Sequence, residues 1–305
     1  GTCLGFFKDR GMRVLGVDPA IEIAEKAKHD GIETVVEFFG YDLALELCDK
    51  YGPAKYITSH NACAHIDDLL DVVKGVNYWL DDNGIFVLEV GYLVDVYRKT
   101  LFDTIYHEHL DYHTVAPFEK LFARVDMEVF DVQQISPQGG SIRLMVQKCG
   151  GKNKRDNSVD QMISLENGLG LDRAETLIKF DFNISSIRDK LEELVHSLKA
   201  VGKSIAGFGA PTKATTLMLH FGIGENELDF IVDDNPLKQG LYTPISHIPI
   251  SPAIKLYEKK PDYVLILAWN FADSIMAMHK EFAKKIGQFI LPLPKPEIVK
   301  RKFLK

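Results

Sequence analysis

Met12-Arg-Val-Leu-Gly-Val-Asp18 decides the fold: it is an apolar run that ends in a carboxylate and leads directly into Pro19. Such a run reads as a buried strand, because branched apolar side chains suit a pleat covered on both faces. Pro19 opens a helix, since its fixed φ fits a first helical turn. That helix is expected to run to about Asp30, where Gly31 can stop it. The same rhythm continues down the chain. Strands are expected over 33–38, 55–59 and 85–90, with a helix over 67–80 between the last two. A helix over 117–125 and strands over 127–135 and 142–148 follow, the two strands joined by Ser136-Pro-Gln-Gly-Gly140. This alternation predicts an α/β fold with a doubly wound sheet. The short closing connection predicts an antiparallel end to that sheet.

A polar stretch, Gly150-Gly-Lys-Asn-Lys-Arg-Asp-Asn157, reads as a linker into a helical region that extends to 202. A second α/β run then begins, with strands over 204–208, 230–233, 263–268 and 288–291 and a helix from Pro211. The expected division is residues 1–150 as one α/β domain, 151–202 as a helical connection, and 203–305 as a second, Rossmann-like domain.

Composition narrows the classes of function. The chain has 305 residues, 46% of them hydrophobic and 26% charged, so it can bury two cores and is neither fibrous nor disordered. A net charge of −7 opposes nucleic-acid binding, which normally shows a basic excess. The basic end Lys300-Arg-Lys-Phe-Leu-Lys305 reads as a solvated tail. No signal peptide or membrane span is evident. Cys3, Cys48, Cys63 and Cys149 form no Cys-x-x-Cys pair, so neither a zinc ribbon nor a disulfide framework is indicated, and a cytoplasmic setting fits.

Chemistry concentrates in Thr104-Ile-Tyr-His-Glu-His-Leu-Asp-Tyr-His113, which follows the apolar run Ile85-Phe-Val-Leu-Glu-Val-Gly91. Loops that leave the carboxyl ends of strands carry the chemistry of open α/β sheets. Histidine titrates near neutral pH and suits reversible proton transfer. Two other readings stand beside catalysis. These rings can simply fill a packed loop, as Tyr112 and His113 would, or they can bind a metal, with His109 and His113 on one helical face or His107 and His109 on one strand face.

Asp18 sits where nucleotide-binding folds use an acid to accept from ribose hydroxyls; the plainer reading is a helix cap. His60 and Asn61 follow a strand and face its crevice, while His65 reads equally as a satisfied histidine at a helix start. Gly207-Phe-Gly-Ala-Pro-Thr-Lys213 joins a strand to a helix, a setting that attracts phosphate. Its alternative is a tight turn that binds nothing. Arg143 is a candidate phosphate or sugar contact, against a partly exposed strand arginine. Asp233 ends a strand as Asp18 does, but no second cofactor is expected there.

Gly1-Thr2, Gly16-Val-Asp-Pro-Ala20, His60-Asn-Ala-Cys-Ala-His-Ile66, Tyr106-His-Glu-His109, Gly139-Gly-Ser-Ile-Arg143, Gly207-Phe-Gly-Ala-Pro-Thr-Lys213 and Val232-Asp-Asp-Asn-Pro236 occur in this order. Together they resemble the S-adenosylmethionine-dependent sugar C-methyltransferases, over nearly the whole chain. The resemblance implies a class I methyltransferase-like sheet and methylation of carbon 3 of a nucleotide-linked 4-keto-deoxysugar. It implies His109 as the base, Glu108 as its orienting or sugar-binding partner, and Tyr106 as donor to the enolate oxygen. Gly1, Asp18, His60 and Asn61 would then serve S-adenosylmethionine, and Arg143 and Lys213 the nucleotide-sugar, with Lys213 at its diphosphate; no metal is required. The family usually begins with a small zinc domain, which is expected to be missing here together with the first strand. Gln138, where a histidine is expected, and Thr243-Pro-Ile-Ser246, in place of a Pro-Gly-Thr type turn, also depart from the pattern. Two rival functions remain: a nicotinamide-dependent nucleotide-sugar oxidoreductase or epimerase, and a non-catalytic nucleotide-sugar binding protein. A Tyr-x-x-x-Lys pair is absent around Tyr106, which counts against the first. The oligomeric state is open.

Overall fold

The computed structural model describes residues 1–299; the basic end 300–305 lies outside the described residues. Along the chain come α1 (Thr2–Lys8), β1 (Gly16–Val17), α2 (Ile21–His29), β2 (Thr34–Val35), α3 (Tyr41–Tyr51), β3 (Ala54–His60), α4 (Leu69–Trp79) and β4 (Leu80–Gly91). Then follow α5 (Leu93–Lys99), α6 (Val115–Ala123), β5 (Met127–Ile135), β6 (Ser141–Lys148), α7 (Asn157–Leu169) and α8 (Ala174–Ala200). The remainder holds β7 (Ile205–Phe208), α9 (Thr212–His220), β8 (Ile231–Val232), β9 (Ile250–Ser251), β10 (Tyr263–Ile266), β11 (Gln288–Leu291) and β12 (Glu297–Ile298), with short helices at Lys255–Lys259, Ala272–Met278 and Lys280–Lys285.

Local chemistry sets the helix ends, sometimes away from where the sequence puts them. The run Met12–Asp18 contributes only Gly16 and Val17 to a ladder, paired in parallel with Thr34 and Val35. Pro19 does not open α2. Asp18 Oδ1 accepts the Ala20 N–H at 2.9 Å, and this turn delays the helix to Ile21. Gly31 stops α2 as expected: at φ +79 it donates its N–H to Lys28 O, while Ile32 N–H reaches Ala27 O. Asp68 caps α4 by accepting the Asp71 N–H. Helix α6 begins at Val115, two residues before the expected Pro117, and α3 has no counterpart in the sequence reading.

The chain forms two compact units. The first comprises Gly1–Val90, His113–Ile135 and Ile142–Ser164. It carries the β1–β2 pair and a sheet of order β3-β4-β6-β5, with β3 and β4 parallel. Neighbours β5 and β6 are joined by 136–140 alone, too short for a parallel crossover. Ala44, Leu47 and Trp79 of α3 and α4 form a core that Leu15, Val17, Ala54 and Ile57 flank.

The second unit comprises Gly91–Tyr112, Ser136–Ser141 and the chain from Leu165 onward. Its sheet has the order β12-β11-β10-β7-β8-β9, all parallel except β12. The chain winds from β7 outward to β9 and then crosses to β10 on the other side. The carboxyl ends of β7 and β10 therefore flank a topological switch point, where open α/β sheets bind ligands. Segment 91–112 joins this unit because its apolar residues are buried there. Val96, Leu101 and Phe102 share a core with Leu217, Met218 and Phe221, and the Phe102 ring lies 5.0 Å from Phe221. Where the sequence suggests linear divisions at 150 and 202, the chain passes between the units after Val90, Tyr112, Ile135, Ser141 and Ser164. Among the described residues no helix is long and apolar enough to cross a membrane.

Candidate active site

In the second unit the histidine segment is built outward from the buried residues Leu101–Thr104. Thr104 O is its pivot. It accepts from His109 Nδ1 at 2.7 Å and from the Tyr112 hydroxyl at 3.1 Å. A carbonyl oxygen can only accept, so Nδ1 carries the proton in neutral His109 and Nε2 is left as an acceptor. Nε2 lies 3.3 Å from the Tyr106 hydroxyl, whose ring packs on the imidazole at 4.4 Å. Burial first, then the charges of Glu108 and Asp103, raise the Tyr106 pKa, so the phenol stays a proton donor. The segment thus holds an oriented imidazole beside a hydroxyl donor, an arrangement capable of proton abstraction next to a carbonyl. Glu108 and His107 are exposed. His113 belongs to the first unit, where it is buried against Phe118, with ring centroids 4.6 Å apart. The segment is not helical between His109 and His113, so the shared helical face considered for a metal does not form. Among the described residues no cluster of three potential metal ligands occurs.

Tyr106 also lines a cavity at the switch point, together with Asp103, Gln138, Lys213, Ala268 and Asn270. Asp103 is buried and accepts the Trp269 indole N–H at 2.7 Å through Oδ2. Burial pushes its carboxyl above the ordinary range, against the pull of that hydrogen bond and of Lys213. Burial likewise lowers the Lys213 ammonium, and Asp103 opposes it. Lys213 stands in the first turn of α9, after the loop predicted to attract phosphate. That loop is closed on itself. Asp233 Oδ2 accepts the Ala210 N–H at 2.7 Å, Lys238 donates to Ala210 O, and a Cβ on Gly209 would meet Ala268 at 2.4 Å.

The first unit groups the remaining predicted residues. Gly1 begins α1 and packs on Ala27 so tightly that a Cβ there would stand 3.1 Å from it. Cys3 in that helix lies 3.6 Å from His60 Nε2 at the end of β3. Asn61, at φ +54, donates its N–H to Glu89 O. Asp18 follows β1, and its Oδ1 serves the turn to Ala20 rather than capping α2, whose N-cap is Ala20 with no side-chain cap bond. Arg143 binds Glu89 Oε2 through Nε and Nη2, at 3.2 and 2.7 Å, and His60 Nδ1 approaches the same oxygen at 3.5 Å. The guanidinium therefore neutralises a buried carboxylate. The structure brings His109, Glu108, Tyr106 and Lys213 into one unit, and Gly1, Asp18, His60, Asn61 and Arg143 into the other. Asp103, Asn270 and Glu89 were missed; only the position of Glu89 at the end of a predicted strand marked any of them.

A family model described as the C-methyltransferase C-terminal domain matches residues 136–294, over half of the chain. The C-methyltransferase NovU of Streptomyces niveus is 36% identical over 299 residues, spanning 98% of this chain and 71% of that protein. Among solved structures, a SAM-dependent methyltransferase from Anabaena variabilis is 16% identical and covers 48% of this chain and 73% of its own, with a TM-score of 0.39. The Burkholderia thailandensis 1,6-didemethyltoxoflavin-N1-methyltransferase is 17% identical and covers 48% of this chain and 65% of its own, with a TM-score of 0.35. On the family model and the NovU match, this chain belongs to the C-methyltransferase family.

Proposed function

We propose that this protein methylates a carbon, C3, of a nucleotide-linked 4-keto-deoxysugar in the cytoplasm, through an enolate, with S-adenosylmethionine as donor. The observation that carries this reading is the His109 imidazole, whose Nδ1 proton is committed to Thr104 O and whose Nε2 faces a hydroxyl donor. A carbon acid beside a ketone is activated by a base of this kind, because the carbonyl accepts the electron pair that the departing proton leaves. Tyr106 supplies a donor for the oxygen on which charge develops. Glu108, exposed next to both, is assigned to a sugar hydroxyl or to orienting the base.

For the donor, the carboxylate of Asp18 at the end of β1 retains an oxygen outside its turn, which fits a ribose diol, with Gly1, His60 and Asn61 completing the assignment. S-adenosylmethionine supplies an electrophilic methyl group on a sulfonium. The nicotinamide reading loses support in the second unit, because the Gly207–Lys213 turn uses its own Ala210 backbone groups internally.

Calorimetric titration with S-adenosylhomocysteine and with NAD tests the assignment. Binding of S-adenosylhomocysteine and not NAD is expected, weakened at least tenfold by Asp18→Ala. Uptake of NAD alone would overturn it. His109→Ala should remove methyl transfer by about 10²–10⁴-fold, the usual share of a general base, with cofactor affinity retained.

A further inference from the structure

The cavity at the carboxyl ends of β7 and β10 holds two groups that the base and its tyrosine leave unexplained. Its volume is about 190 Å³. That is room for a group of sugar-ring size at the wall where these side chains stand. Asp103 is 1% exposed, and although Oδ2 is taken by Trp269, Oδ1 has no hydrogen-bond partner. A buried oxygen left without a donor costs about 1–3 kcal/mol, so a fold retains one where something else completes it. Lys213, on the same wall, feels the Asp103 charge. No ion pair or hydrogen bond joins it to another described residue. The opening between them also receives Tyr106.

These neighbours argue against a phosphate here. A diphosphate would set its charge beside a buried carboxyl. A ketone suits the cavity better: its oxygen carries a partial negative charge in the ground state and a nearly full one in the enolate, and so gains from a donor whose bond strengthens as charge develops. An ammonium has three N–H groups, enough to serve Asp103 Oδ1 and a ligand oxygen together.

We propose that Lys213 is a catalytic residue that donates to the acceptor's carbonyl oxygen, and that Asp103 is the positioning residue that holds the ammonium on it. As His109 Nε2 takes the proton from the neighbouring carbon, the C–H pair becomes the carbon–carbon double bond. The carbonyl π pair moves onto the oxygen that Lys213 bonds. Collapse of the enolate reverses each change, and the carbon regains a proton by way of His109. Asp103 also keeps Lys213 charged against the burial that favours its neutral form. This inference rests on the ketone acceptor proposed above.

The test needs no methyl donor. The full chain is incubated in deuterium oxide with thymidine diphosphate-4-keto-6-deoxyglucose. Deuterium uptake beside the ketone is followed by mass spectrometry, and acceptor binding by calorimetry. Lys213→Met should slow exchange at saturating acceptor by about 10²–10³-fold, the usual effect of losing one oxyanion donor, while affinity changes less than the rate. Lys213→Arg should recover part of the rate, and Asp103→Asn should lower it with affinity retained. Unchanged exchange in Lys213→Met overturns the proposal, as does lost affinity with a normal saturated rate, which would return Lys213 to a phosphate. Loss of cooperative unfolding in both Lys213→Met and Asp103→Asn would also overturn it, by making the pair structural. A wild type that binds the ketone without exchange removes the proposal together with the enolate step proposed above, whereas unchanged exchange in Lys213→Met removes the proposal alone. A wild type that does not bind it removes the ketone reading as well.

Discussion

At residue scale, the tautomer of His109 rests on a backbone carbonyl. Thr104 O can only accept, so the tautomer follows from chain geometry five residues upstream. Asp103 shows the opposite principle, a titratable group set by burial. Its pKa lies above the ordinary value of 3.8, so the folded chain holds this proton more tightly than the unfolded one. The linkage has one sign: stability from this group is complete below about pH 4 and is lost as pH rises through the folded-state pKa. Asp103→Asn should therefore match the wild type in acid and exceed it progressively toward neutral pH, with Lys213 nearby moderating the difference. Chemical denaturation at a series of pH values reads this directly, and a gain confined to acid would refute it. The composition of 104–113 made Tyr106 and His109 legible as chemistry. Asp103 was illegible because its partner, Trp269, lies 166 positions away and no local pattern joins them.

At element scale, the sequence read well where a run's own pattern sets its ends. The strand Met127–Ile135 and the strand Gln288–Leu291 match their expected bounds, and Gly31 stops α2. It read poorly where a partner sets them. Residues 12–18 are apolar enough for a full strand, yet only Gly16 and Val17 find ladder partners in β2. Helix α3 was missed although Leu43, Ala44 and Leu47 fall on one helical face and Gly52, at φ +77, terminates it. The turn into β6 shows what tight packing between elements demands. Gly140 sits at φ +152, its carbonyl accepts the Tyr92 N–H, and a Cβ there would lie 2.3 Å from the Asp95 side chain in α5. Asp95 is in turn paired with Lys99 at 2.8 Å, so it cannot move aside without breaking that pair. Gly140→Ala should destabilise the protein by about 1–3 kcal/mol, the range for forced overpacking, and displace Gln138 from the cavity wall. Thermal unfolding checks the first effect and acceptor affinity the second.

For the whole molecule, the two α/β units were legible from alternating patterns, but their interleaving was not, because it depends on where Leu101 and Phe102 are buried. These residues and Val96 lie in the core of the second unit, far in sequence from the α9 residues they touch. A fragment beginning at Leu165 would lack all three. Each large core side chain removed costs about 2–5 kcal/mol, against a total domain stability of about 5–15 kcal/mol. The fragment 165–305 should therefore show no cooperative melt by circular dichroism, and adding a peptide of residues 91–112 should restore part of it. A sharp melt of the fragment alone would show the inserted segment to be dispensable. The same interleaving governs the order of synthesis. Residues 91–112 leave the ribosome long before α8, β7 and α9 exist, so Leu101 and Phe102 must remain in solvent while more than a hundred further residues are made. The segment that carries Tyr106 and His109 is thus the last part of the amino-terminal half to find its place, and the nascent chain is most prone to aggregate just before that segment docks.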